Sequence, residues 1–149
     1  MPTLTDKNSV VTQALVDLLK ADWEKYAAEK DDIYYGDQAK YARFPSISVE
    51  SAPQARDLNQ TGLQQRISYT MYVMVYHGGL RDTQDRRKRT DEVTEAVVEQ
   101  LHSDRRLDGL LIHSNVSGNE PGFARRGGAL LVANRVTWEG ISNYTMPRS

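Results

Sequence analysis

Cysteine is missing from this 149-residue chain. Its absence removes disulfides, thiolate nucleophiles and Cys-ligated zinc together, and it fits a chain made in a reducing cytoplasm. Long apolar runs are missing too, and none approaches the roughly 20 residues needed to span a bilayer. The opening "MPTLTDKNS" has no basic start followed by an apolar stretch, so no signal peptide is expected. Nor is charge of one sign in excess. The formal net charge is −1, so the molecule as a whole is not built to coat nucleic acid or an anionic membrane. Any electrostatic function has to come from local patches. With 39% hydrophobic and 26% charged residues the composition is that of an ordinary, rather polar globular protein. The length suggests one domain spanning residues 1–149, with enough chain for a real core.

The common signatures of chemistry are also absent. There is no GxSxG elbow, no GxxxxGK[ST] phosphate loop and no GxGxxG after a strand. Of the three histidines, none stands in HExxH or another metal-ligand spacing. His102 follows the last core leucine of a helix, where capping or solvation explains it. His77 and His113 lie on or near strands, and a metal site would need them to meet in space beside a carboxylate. Asp31-Asp32 falls in a turn-like stretch where solvation suffices. No catalytic residue, cofactor or metal is therefore expected.

What is present is periodicity. "NSVVTQALVDLLKADWEKYAAEK" sets Val11, Ala14, Leu15, Leu18 and Leu19 on one helical stripe, continued less strictly by Trp23 and Tyr26. Asp6, Asn8 or Ser9 is placed to cap this helix, which should end near Lys30. Residues 31–44 form a tyrosine-rich connection with a turn at Gly36-Asp37. A short strand follows, with Ile47 and Val49 on one side and Ser46, Ser48 and Glu50 on the other, bracketed by Pro45 and Pro53. "QARDLNQTG" reads as a loop. A long strand comes next, ended by Gly78-Gly79. "DTQDRRKRTDEVTEAVVEQLHSD" predicts a second helix with Val93, Ala96, Val97 and Leu101 buried, capped by Thr83 or Asp85. Val97 and Leu101 are expected to pack on the Ile67, Met71, Val73 and Val75 face of the long strand. Two strands close the chain, "LDGLLIHSNVSG" and "GALLVANRVTWEGISNY", with a Gly-rich loop "GNEPGFARRGG" between them. The order αββαββ predicts an α+β fold: a mainly antiparallel sheet of about four strands with two helices on one face.

The long strand poses a question. Its first face, Ile67, Tyr69, Met71, Val73 and Val75, is an ordinary core face. Its second, Ser68, Thr70, Tyr72, Met74 and Tyr76, is uncharged and rich in Tyr and Met, residues enriched at protein interfaces. Both helices have single stripes suited to one sheet face. Tyr72, Met74 and Tyr76 are therefore candidates for contact with a neighbouring copy, the alternative being a mildly polar solvent face.

Two basic features stand out. Arg86 to Arg89, "RRKR", occupies the first turns of the second helix, where successive residues point about 100° apart and cannot form one stripe. It reads as a solvated face balanced by Asp82, Asp85, Asp91 and Glu92, or as a contact through Arg86 and Arg87 with an acidic partner or DNA phosphates. Arg125 and Arg126 lie in the Gly-rich loop beside Phe123. From Gly118 to Gly128 this loop is long for a connection, and is either disordered or orders on a partner, with its arginines facing protein or DNA.

Taken in order, "ALVDLL", "FPSISVES", "RISYTMYVMVYHGG", "RRKRTDEVTEAVVEQLHSD" with its Leu101-His102 pair, and "ALLVANRVTWEGISNY" resemble the tail terminator (tail completion, or minor tail) proteins of long-tailed bacteriophages, over about residues 9 to 145. The family offers no catalytic residues to carry over, and the long "GNEPGFARRGG" loop departs from its short-hairpin form. The resemblance implies a structural protein of the virion neck, assembled in the host cytoplasm. Copies would form a ring, expected to be a hexamer, at the head-proximal end of the tail tube. Such a ring stops tube polymerisation, offers a docking surface to the head–tail connector and lets genomic DNA pass. Its partners would be further copies of itself, the tail tube protein and the connector, with no membrane. Another neck adaptor of similar topology, or a small metal-dependent enzyme using His77 and His113, are the alternatives.

Overall fold

A computed structural model describes residues 8–52, 59–61, 64–78 and 83–145. The suggested cap Asp6, the balancing Asp82, and Pro53 and Gly79 lie outside these residues. The first helix, α1, spans Asn8–Ala21 and buries Val11, Thr12, Leu15, Val16 and Leu19. It stops well before the expected Lys30. The physical reason is Tyr26, whose hydroxyl turns back and donates to the Leu19 carbonyl, satisfying one of the acceptors left open at a helix end. Single 3-10 turns at Trp23–Lys25 and Lys30–Asp32 then lead the chain into the sheet.

Six strands follow where four were expected: β1 (Ile33–Tyr35), β2 (Ser46–Ser51), β3 (Asn59–Thr61), β4 (Gln64–His77), β5 (His113–Arg126) and β6 (Ala129–Thr145). A second helix, α2 (Thr83–Ser103), comes between β4 and β5. All six strands belong to one sheet of order β1-β2-β4-β6-β5, with β3 pairing β4 beyond the end of β2. Every pair is antiparallel except β1 with β2. The fold is α+β. The two added strands are three residues each, too short to show a period in sequence.

The Gly118–Gly128 segment is not a loop. It is the outer part of β5, paired through to Arg126↔Ala129, and the chain reverses over only Gly127 and Gly128. Both glycines have positive φ, 60° and 78°, the condition for the tight turn whose twist matches an antiparallel ribbon. A bulge between Val116 and Gly118 absorbs one residue where β5 bends over the sheet.

Both helices cover the same face. One apolar cluster joins Val11, Leu15 and Leu19 of α1, Val93, Val97 and Leu101 of α2, and the strand residues Ile47, Val49, Ile67, Tyr69, Met71, Val73, Val75, Val136 and Trp138. The expected docking of Val97 and Leu101 on the β4 core face is present. Gln100 locks the two helices by donating to the Leu18 carbonyl at 2.8 Å, and Thr12 donates to the Met71 sulfur at 3.4 Å.

Candidate functional site

Alternation along β4 turns Ser68, Thr70, Tyr72, Met74 and Tyr76 away from the helices. The register extends this outer face across the sheet. Ser46, Ser48 and Glu50 of β2 oppose Tyr76, Met74 and Tyr72, and Ala133, Arg135, Thr137 and Glu139 of β6 flank them on the other side. The face divides into two halves of different character.

One half is covered by the chain itself. Residues 36–44, between β1 and β2, run across it as a strap. Tyr41 of the strap packs on Tyr76 with ring centroids 4.7 Å apart and meets Tyr34 edge-on at 5.3 Å. Leu131 and Ala133 complete the cluster, with Phe44, Met74 and Ala124 against it. Tyr76 is fully buried, so its assignment to a subunit contact is corrected: its own chain covers the ring. The same strap explains why Ser46 and Ser48, expected on a polar side, are buried.

A polar latch fixes the strap. Arg126 donates to both oxygens of Asp37, at 3.1 Å and 2.5 Å. The Tyr41 and Tyr76 hydroxyls donate to the same carboxylate at 2.7 Å and 3.2 Å. Burial works to raise the Asp37 carboxyl, but Arg126 and the two hydroxyls outweigh it and hold the group below its ordinary range. Burial first, and then Asp37, push the Tyr76 phenol up to about 12. Arg126 was expected to face a partner or DNA, and the structure corrects this: its guanidinium belongs to the latch and lies over the Tyr76 ring at 5.6 Å.

No strap covers the other half among the described residues. Tyr72 is half-buried, and the Arg135 guanidinium lies 4.6 Å from its ring centre. Arg135 pairs with Glu120 at 2.5 Å, so one chain of contacts runs from β4 through β6 to β5. Arg135 Nε, next to that ion pair, is buried with no hydrogen-bond partner among the described residues. Met74 lines a cavity of about 160 Å³ with Glu120, Phe123, Ala133 and Arg135. Farther along, Ser68, Thr70, His113, Asn115, Glu139 and Ile141 line a second hollow of about 250 Å³. This half is a broad, mixed surface of hydroxyls, the Tyr72 ring, the Arg135–Glu120 pair and the exposed His113 and Glu139.

Arg87 also departs from expectation. It was a candidate for a partner or DNA, but it turns inward and is used by the fold. It donates to the Ala133 and Gly122 carbonyls at 3.2 Å and 2.8 Å, and to Asn134 Oδ1 at 2.7 Å. The fully buried Asn134 donates in turn to Asp91 and Thr94, both at 2.9 Å. Arg87 also stands 5.6 Å from the Phe123 ring centre. Arg86 is half-buried near His77: burial, then the charges of Arg89 and Arg86, hold that imidazole below its usual value. Of the four candidate arginines, Arg125 presents an exposed side chain at the ribbon tip.

The histidines are dispersed. His77 pairs with Val132 and His113 with Ile141, nine residues apart along β6, which separates them by roughly 30 Å at the strand rise. A joint site is ruled out by that spacing. His102 has a structural use beyond capping, accepting the Val116 backbone N–H at 3.2 Å beside the bulge. Asp32 is not a solvated turn residue either. It is fully buried and accepts from Arg43 at 2.9 Å and from Tyr34 at 3.2 Å. Among the described residues, no group of three or more His, Asp or Glu side chains is placed to hold a metal ion, and no helix is long and apolar enough to cross a membrane.

The strap and the Arg135–Glu120 pair went unread in the sequence. One signal existed for Asn134, a lone amide in the alternation Leu130, Val132, Asn134, Val136, Trp138, where a polar residue on an apolar face implies a buried partner. The chain matches no protein-family profile and no curated protein sequence.

Proposed function

We propose that the chain is a structural subunit of a phage virion that assembles with copies of itself into a ring, expected to be a hexamer, at the head-proximal end of the tail tube. The ring ends tube growth, carries the docking surface for the head–tail connector and leaves a central passage for genomic DNA. The observation that carries this reading is the uncovered half of the outer sheet face. Ser68, Thr70, Tyr72, Met74, Arg135 and Thr137 lie there at intermediate exposure, with neither described helix over them and with Arg135 already paired with Glu120. Arg135 would enter such a contact with its partner in place, which costs less than burying it unpaired. The α+β architecture with both helices on one face also agrees with the resemblance noted in the sequence.

The test is Tyr72→Glu, compared with the parent for thermal unfolding and for ring formation on tail tubes. A carboxylate buried at an interface without a partner costs several kcal/mol, and symmetry repeats that cost at every contact. The reading expects a folded chain that no longer caps tubes. A Tyr72→Glu chain that caps tubes as well as the parent would show that this half of the face meets only water.

A further inference from the structure

Two surface patches, at opposite ends of the molecule, are complementary. The first is the tip of the β5–β6 ribbon. Phe123 and Leu130 are 61% and 50% exposed, among the most exposed large apolar side chains described. Arg125 opposes Leu130 and Phe123 opposes Val132, so Phe123, Arg125 and Leu130 share the helix-side face of the ribbon. The tip is rigidly held. Its turn is two glycines, Arg126 is fastened to Asp37, and Gly127 lies so close to Lys40 that a Cβ there would fall 2.9 Å from the Lys40 side chain. Arg87 braces the Phe123 ring from α2. A preorganised apolar and cationic projection loses little conformational entropy on binding.

The second patch is a groove beside α1. At the edge of its core stripe, Ala14 and Leu18 pack against the main cluster yet stay partly exposed, and Val10 extends them along the same flank. Val10 is 51% exposed. Ala14 and Leu18 form a hollow of about 330 Å³ with Leu107, and its charged lining is three carboxylates: Asp17, Asp104 and Asp108. An adjoining shallower hollow runs on past Gln13, Val10 and Ser9. Arg105 and Arg106 are exposed on the same turn but do not line the hollow.

We propose that the ribbon tip of one copy docks in the α1 groove of the next, with Phe123 and Leu130 against the Val10, Ala14 and Leu18 stripe and Arg125 among Asp17, Asp104 and Asp108. The inference rests on the ring reading and deepens it. Three features favour a second copy as the occupant. The charges are opposite and the apolar surfaces match. The groove adjoins the start of β5 and the tip is its end, roughly 40 Å away at about 3.3 Å per residue, so one chain cannot satisfy itself. A closed ring requires two different complementary patches on every copy, because its interface is head-to-tail. One phenylalanine, one leucine and one arginine cover far less than the roughly 1,000 Å² of a stable interface. The contact is therefore weak alone and forms when copies are gathered on a tube.

The lack of cysteine makes the test clean. Ala129→Cys marks the tip and Gln13→Cys the groove. Both are exposed positions; Gln13 borders the shallower hollow and donates to Asp17 at 2.9 Å, a bond the cysteine gives up. The two variants are mixed on tail tubes with a short thiol-to-thiol cross-linker. Docking predicts a cross-linked dimer from the mixture, little from either variant alone, and a ladder of oligomers from the chain carrying both cysteines. Adding Arg125→Glu to the tip variant should lower the yield about tenfold, and adding Asp17→Lys to the groove variant should restore it. Rings that cap tubes without a position 13–129 cross-link would overturn the docking and leave the ring reading standing. Cross-linked copies that fail to cap tubes would leave the docking and remove the ring reading. A mixture that neither cross-links nor caps tubes removes both.

Discussion

The Arg126 guanidinium grips the Asp37 carboxylate through two nitrogens, at 3.1 Å from Nε and 2.5 Å from Nη2, and so ties the end of β5 to a strap 89 residues away in sequence. Both side chains are about three-quarters buried, and the same carboxylate receives the Tyr41 and Tyr76 hydroxyls. The outer sheet face owes its division into a closed and an open half to this latch.

Asp37→Asn removes the charge on which four hydrogen bonds from three side chains converge. It should destabilise the chain by about 1.5–3 kcal/mol, the usual worth of hydrogen bonds to a charged group. The pH dependence has two arms. Asp37 is held below its ordinary value, so its contribution is complete above the unfolded carboxylate pKa of about 4 and is lost as pH falls through the folded value. Tyr76 is raised to about 12, so its contribution is complete below about pH 10, the phenol's ordinary value, and is lost as pH rises toward the folded value. Thermal unfolding across that range should show both arms in the parent and a weaker acid arm in Asp37→Asn. An unchanged acid arm would mean the latch is not what acid breaks.

The buried amide of Asn134 couples α2 to the ribbon. Asn134→Ala should cost about 1–3 kcal/mol because the Arg87, Asp91 and Thr94 groups lose a partner together. In a double-mutant cycle with Arg87→Met, the two changes should be non-additive by more than about 0.5 kcal/mol, as residues sharing a network are. Simple additivity would separate the two residues energetically despite their 2.7 Å contact.

Leu101 is fully buried in the cluster joining both helices to β4. Leu101→Ala should lower unfolding free energy by about 2–5 kcal/mol, as buried leucine truncations do. A loss under about 0.5 kcal/mol, typical of surface sites, would mean that α2 is not docked on this face in solution.

These elements differ in how openly the sequence declared them. β4 and the stripes of α1 and α2 were legible because each buries one face, and burial of one face writes a period into the residues. The outer part of β5 was not. Between Gly118 and Arg126 every side chain is exposed or half-exposed, so no apolar alternation marked a strand, and its order comes from pairing with β6 and from the contacts of Arg87 and Asp37. The two adjacent glycines at 127 and 128 were the available hairpin signal, and they read more readily as part of a loop. β1 and the strap were hidden for a related reason: their order comes from tertiary contacts of Tyr34, Asp37 and Tyr41, not from a local repeat. Within "RRKR", that Arg87 turns inward follows from its position one turn ahead of Asp91 and two ahead of Thr94, its partners through Asn134.

His102 supplies a test of the β5 bulge. Burial first, and then Arg105, hold its imidazole below the usual value, and its Nε2 accepts the Val116 N–H. A depressed pKa means that this contribution is complete above about pH 6.5 and is lost as pH falls through the folded value, when Nε2 takes up a proton. His77 is depressed as well and adds to the same loss. Stability should therefore fall between pH 7 and 5, and the fall should be smaller in His102→Leu. Titration of His102 by NMR with a pKa at or above its ordinary value would remove this explanation.

The central claim is a place in a particle, and the most direct measurement is to find the protein there. On the proposed reading the chain comes from a long-tailed phage, whose virions would be purified with a small epitope tag on the chain, labelled with a tag antibody and imaged. The account predicts label confined to the joint between head and tail, one ring per particle, and tails of uncontrolled length without attached heads when the chain is deleted. Particles that lack the protein, or that carry it along the whole tube, would contradict the account.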